Sequence, residues 1–151
     1  MLKHGAAWMV LLASAVAAAQ TGALKPAAAA CPWLTQGNAA WALGGDVTVT
    51  AAVTSATEGS CAFLRGPQSL EVVVSAKALE SCPTGSAALK GIGNEAARCS
   101  RPAARGETAE MISSRVRNVQ FVVTLTSRGR KSATPDDALE QVAEQVAGNL
   151  Y

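Results

Sequence analysis

The amino-acid sequence predicts an α+β domain: a single twisted antiparallel sheet of about five or six strands, with an N-terminal and a C-terminal helix packed on one face. Three observations predict it. Segments with a period of two cluster in the middle of the chain, helical patterns lie towards its two ends, and strands do not alternate strictly with helices as a parallel sheet would require.

The N-terminal helix is expected from about Gln36 to Leu43, capped by Thr35 and stopped by Gly44-Gly45. Trp33 and Trp41 flank and occupy it, and in a chain with only 4% aromatic residues both are expected in the core. In "DVTVTAAV", Val47, Val49, Ala51 and Val53 share one face and Thr48 and Thr50 the other, the mark of a half-buried strand. Ser60–Leu64 and Ser69–Ala76 repeat the pattern, joined by a turn at "RGPQ", Arg65 to Gln68. Lys77–Gly93 reads as irregular, with room for one helical turn in "TGSAALK". A strand resumes at Ala96–Ser100, and Pro102 and Gly106 bracket a loop. "EMISSRV" and "VQFVVTLTS" then form two strands joined at Arg117-Asn118.

The last element has the clearest signals. Thr134 caps it, Pro135 takes a first helical position, and Asp136 and Asp137 fill the first turn, where the helix dipole favours acids. Leu139, Val142, Val146 and Leu150, with Ala143 and Ala147, form the apolar stripe, while Glu140, Gln141, Glu144 and Gln145 face water.

Residues 1–19, MLKHGAAWMVLLASAVAAA, have a basic start, an apolar run and a small-residue end, the layout of a secretory signal peptide cut after Ala19. The run is short and diluted with alanine, whereas a spanning helix needs about 20 predominantly apolar residues. Residues 20–30, QTGALKPAAAA, read as a flexible spacer, leaving 31–151 as one disulfide-stabilised domain without a transmembrane helix. Cleavage removes Lys3 and the only histidine, His4. The formal charge falls from +2 to about +1, so no basic excess argues for nucleic acid.

Cys31, Cys61, Cys82 and Cys99 all lie in the exported part, where an oxidising environment favours two disulfides. Three pairings are open. Cys31–Cys61 with Cys82–Cys99 is favoured because each pair then ties a segment to a nearby strand, contributing roughly 3 to 4 kcal/mol apiece. Cys31 follows three alanines and has an alternative as a lipid-modified residue, but no aliphatic residue stands three places before it. The spacings show no C-x-x-C knuckle, so neither a metal nor a cofactor is expected.

"LKGIGNEAARC", Leu89 to Cys99, contains G-x-G-x-x-A, the spacing of a dinucleotide-binding turn. Such a turn needs a buried strand before it and a helix directly after it. "SAALK" is a poor strand and Pro102 follows too soon for a helix, so Gly91, Gly93, Asn94 and Glu95 are read as a structural turn, with Glu95 accepting backbone N–H bonds from its own loop.

Together "CPWLTQGNAAWALGG", "SCAF", "GIGNEAARC", "RVRNVQFVVTL" and the closing "VAEQVAGNLY" resemble a family of small exported bacterial proteins and lipoproteins of unknown function. That family has a Cys-containing N-terminal helix, a Cys-aromatic strand and a G-[IL]-G-[DN]-E-A turn. The resemblance covers roughly Cys31 to Tyr151 and implies an exported α+β domain and no particular activity. Its lipoprotein members carry their lipidated cysteine upstream of the domain cysteine; this chain has none there, which favours a soluble protein.

The remaining chemistry is sparse. Ser75 with Lys77, or Ser86 with Lys90, offers a Ser-Lys spacing for catalysis, but a catalytic lysine needs burial and proximity that spacing does not supply, and no G-x-S-x-G elbow occurs. Eight basic residues lie between Arg98 and Lys131 against Glu107 and Glu110, and Arg115, Arg117, Arg128 and Arg130 form a candidate patch for an anionic ligand or envelope protein. The leading expectation is therefore an exported, non-enzymatic cell-envelope domain, periplasmic or extracellular, that binds a protein or small ligand. A hydrolase or transferase built on Ser/Lys or carboxylates, and a structural accessory of an envelope complex, are the alternatives.

Overall fold

The computed structural model describes residues 30–128 and 137–151. The expected signal peptide, most of the spacer, Arg130 and Thr134–Asp136 lie outside the described residues.

Helix α1, Gln36–Leu43, begins where the extended Thr35 accepts a hydrogen bond from the Asn38 N–H at 3.2 Å. It ends at Gly44, whose φ of 77° is the left-handed stop that a glycine takes at little cost. Then come β1 (Thr48–Ser55), β2 (Glu58–Arg65), β3 (Gln68–Ser75), β4 (Ala87–Leu89), β5 (Glu95–Pro102), β6 (Thr108–Val116), β7 (Val119–Ser127) and helix α2 (Ala138–Leu150). The strands form one antiparallel sheet ordered β1-β2-β3-β7-β6-β5-β4. Two meanders, β1–β3 and β4–β7, are thus fused along β3 and β7, with Val72 opposite Val123 and Val74 opposite Phe121.

Among the described residues the sheet has seven strands where five or six were expected. The extra one is β4: "TGSAALK" is not a helical turn but supplies Ala87–Leu89, which pairs with Ala96–Arg98. A single isolated turn of helix makes too few bonds to repay its nucleation, whereas pairing onto an existing strand costs little more than closing a short loop.

One sheet face carries Phe63, Leu70, Val72, Val74, Ile112, Phe121 and Val123, all buried against Ala39 and Leu43 of α1 and Leu139, Val142 and Val146 of α2. The two helices meet where Asn38 Nδ2 donates to Gln145 Oε1 at 2.6 Å. Trp33 is 1% exposed and its indole N–H donates to the Ala56 carbonyl at 2.8 Å. Trp41, expected in the core, is 47% exposed: the buried side of α1 is filled by Ala39, Ala42 and Leu43, and Trp41 lies off it. In α2, Asp137 precedes the helix without making a side-chain cap bond, so it is not the first-turn residue that was expected. Glu140 takes that place, and rather than merely facing water its carboxylate receives Arg98 Nη1 at 3.0 Å.

The second face is covered over half its width. After β3 the chain must reach β4 at the far edge, and it does so as a strap, residues 76–86, drawn across β7, β6 and β5. The Leu79 N–H donates to Gln120 Oε1 at 2.8 Å, the Cys82 N–H to Ser113 Oγ at 3.1 Å, and Cys82 is joined to Cys99. Beneath and beside it Met111, Ala109 and Val122 are buried, while Thr48, Thr50, Ala52 and Leu64 on the other half of the same face are exposed. The second disulfide, Cys31–Cys61, ties the chain ahead of α1 to β2. Among the described residues no helix is long and apolar enough to cross a membrane.

Candidate functional site

The two glycines of the turn differ in their surroundings. Gly91 (φ 84°) and Gly93 (φ 62°) both need the left-handed region, but a Cβ on Gly91 would meet nothing within 4 Å. On Gly93 it would lie 2.5 Å from the Arg115 carbonyl oxygen and 2.6 Å from Ser114 Oγ. The turn is therefore pressed onto the end of β6. Ile92, 2% exposed, plugs the core; Ser114 Oγ donates to the Ile92 carbonyl at 2.8 Å, and the Asn94 N–H donates to the Arg115 carbonyl at 2.7 Å. The turn leads into strand β5, so no helix opens directly after the glycines. Glu95 departs from expectation: its carboxylate, 74% exposed, accepts from Arg115 Nη2 at 2.7 Å rather than from its own loop. Asn94 is the side chain that binds backbone, accepting the Arg117 N–H at 2.8 Å.

That bond reaches the β6–β7 hairpin, where Arg117 holds φ 56°, a position that ordinarily favours glycine or asparagine. Its guanidinium carbon lies 5.9 Å from the Tyr151 ring centroid, within cation–π range. Asn94 and Tyr151 thus hold a conformation that costs a non-glycine residue about 1 to 2 kcal/mol.

Between the strap and this end of the sheet lies a cleft of about 280 Å³. Glu80, Ser81 and Cys82 form its roof; Ala97, Ser113, Gln120 and Val122 form its floor, with Glu95 and Arg115 at its side. Its width is set by the two strap bonds to Ser113 and Gln120 and by the disulfide. Because Ser113 Oγ and Gln120 Oε1 act there as acceptors, the Ser113 hydroxyl hydrogen and the Gln120 amide N–H groups are donors with no partner among the described residues. The Arg115–Glu95 pair is solvent-accessible, 45% and 74% for the two side chains, and a pair of that kind contributes about 0 to 1 kcal/mol, so a competing carboxylate can displace Glu95.

The three described arginines of the expected anionic patch are not brought together. Arg115 and Arg117 adjoin the β6–β7 hairpin, Arg128 follows the far end of β7 about 30 Å away, and Arg130 lies outside the described residues. Arg128 is paired with Glu107 at 3.2 Å, and Arg101 with Glu80. Arg98 lies between Glu110 and Glu140; its hydrogen bond to Glu110, outweighing the opposing effect of burial, raises its pKa above the ordinary guanidinium value. Of the six described residues of the basic run, Arg98, Arg101, Arg115 and Arg128 are thus held in local ion pairs.

The serines considered for catalysis are engaged elsewhere. Ser75 Oγ donates to the Glu58 carboxylate at 2.9 Å and accepts the Lys77 backbone N–H at 3.0 Å; Ser86 Oγ donates to the Pro83 carbonyl at 2.7 Å. Sequence reasoning missed Ser113 and Gln120 as cleft residues, because nothing local marks a polar residue that the strap will cross.

No family model, curated protein or solved structure matches this chain. The cleft's geometry is accordingly the ground on which a function rests.

Proposed function

We propose that this is an exported, non-enzymatic domain of the cell envelope that binds a small polar ligand bearing a carboxylate in the strapped cleft. The observation that carries the reading is a cleft preformed by a covalent tie: with Cys82 bonded to Cys99, the strap is held over Ser113 and Gln120 before any ligand arrives, which lowers the ordering cost of binding. Arg115 supplies the charge for a carboxylate, Ser113 and Gln120 supply neutral donors, and Ala97 and Val122 supply apolar contact. Two disulfides are typical of exported proteins. Cys31 has its sulfur committed to Cys61, which supports a chain that is not acylated at that residue and a soluble existence in the periplasm or outside the cell.

The test is a chemical-shift titration of isotopically labelled, oxidised protein with a panel of small carboxylates, amino acids and short peptides. Saturable shifts concentrated at Ala97, Ser113, Gln120 and Val122, and lost in Arg115→Gln, are expected. A panel that leaves these amides unmoved, or moves them equally in Arg115→Gln, overturns the reading.

A further inference from the structure

The sheet has two edges, and among the described residues only one is protected. β4 is three residues long and offers little backbone to pair with, whereas β1 is eight residues long. Natural edge strands are blunted by charge, proline, brevity or cover. "TVTAAVTS" contains no charged residue and no proline, and Ala52, Val53, Thr54 and Ser55 are exposed, Val53 at 38%.

The order of residues in β1 is nearly the same in both directions about Ala51: Thr48 mirrors Thr54, Val49 mirrors Val53, and Thr50 mirrors Ala52. Two antiparallel strands related by a two-fold axis through this point set same-face residues opposite one another. On the helix-covered face Val49 meets Val53 of the second copy and Ala51 meets itself. On the open face Thr48 meets Thr54 and Thr50 meets Ala52. β-Branched residues face each other towards the ends, the smallest lie around the axis, and no like charges are opposed.

We propose that β1 is a self-recognition edge through which two copies of this chain pair over Thr48–Thr54, continuing one sheet across both with their helices on the same side. The register shift between Val53 and Ser55 ends the usable ladder. Once β1 is paired, only the three-residue β4 edges remain at the outside, so assembly closes at the dimer. The strand pair adds about six to eight backbone hydrogen bonds. It buries far less than the roughly 1,600 Å² of a standard stable interface, so the dimer is concentration-dependent. Pairing at β1 is independent of the cleft, which lies towards the opposite edge.

The experiment is sedimentation equilibrium over a concentration series on the full chain purified without reductant, with its two disulfides checked by mass. The wild-type protein is expected to pass from monomer to dimer. Thr50→Lys/Ala52→Lys and Thr50→Glu/Ala52→Glu, both at exposed positions, are each expected to weaken dimerisation at least about tenfold through like charges set opposite one another. An equimolar mixture of the two should restore it, since each lysine then faces a glutamate. Hydrogen exchange of wild-type β1 amides, which needs no variant, should slow as protein concentration rises. A protein monomeric at every concentration, a dimer that both variants retain, a mixture that fails to restore it, or β1 exchange indifferent to concentration overturns the proposal.

Discussion

Replacing Gly93 by alanine tests the tight fit on which the cleft end of the sheet depends. The φ of 62° alone costs an L-residue about 1 to 2 kcal/mol. The added methyl would also sit 2.5 Å from the Arg115 carbonyl oxygen, a backbone atom that cannot swing aside, so the turn must lift away from β6. Lifting it strains or breaks the Ser114–Ile92 and Asn94–Arg115 hydrogen bonds, each contributing about 0.5 to 1.5 kcal/mol, and unseats Ile92. The total is roughly 3 to 5 kcal/mol, a large share of the 5 to 15 kcal/mol typical of a domain. Gly91→Ala is the internal control. It carries the same kind of backbone cost at φ 84° but meets no atom within 4 Å, so about 1 kcal/mol is expected. Urea unfolding of both variants with disulfides intact gives the comparison. A Gly93→Ala protein within about 0.5 kcal/mol of Gly91→Ala would refute the claim that this glycine serves close approach.

Removing the strap's tie with Cys82→Ser/Cys99→Ser, whose cysteines are 17 apart in sequence, should cost roughly 3 kcal/mol in the chain-entropy model, and hydrogen exchange at Leu79 and Cys82 should speed up. The 30-residue separation of Cys31 and Cys61 predicts a slightly larger loss for Cys31→Ser/Cys61→Ser, about 3.6 kcal/mol by the same unfolding assay. Trp41→Phe should shift tryptophan emission to the blue and reduce iodide quenching, because it removes an exposed indole; Trp33→Phe should do the reverse and lower stability by about 1 to 2 kcal/mol through the lost bond to Ala56. Arg117→Gly relieves a positive φ but loses the contact with Tyr151, so thermal unfolding should change by less than about 1 kcal/mol.

Much of the fold was legible because its signals are local. The α1 boundaries follow from Thr35 and Gly44, and the β2–β3 and β6–β7 turns follow from "RGPQ" and from the close spacing of alternating segments around Arg117-Asn118. The apolar stripe of α2 is periodic, and Leu139, Val142 and Val146 are buried accordingly. β4 was illegible because Ala87–Leu89 has no pattern of its own and is a strand only by pairing with β5. Trp41 was misplaced because composition says that a large aromatic side chain is valuable in a core, whereas only packing says which side of a short helix the core occupies. Glu95 misled for a related reason: its partner, Arg115, is 20 residues away and becomes a neighbour only when β5 and β6 register.

The amino-acid sequence by itself determined the α+β class and the kinds and order of the two helices and of every strand but β4, since capping, periodicity and turn chemistry act over a few residues. Tertiary structure decided what surrounds what: that β7 rather than β4 lies beside β3, that the chain after Ser75 crosses the sheet as a strap, and that Ser113 and Gln120 become the floor of a cleft. Strand neighbours and face cover depend on contacts between residues far apart in the chain, and no short-range pattern encodes them.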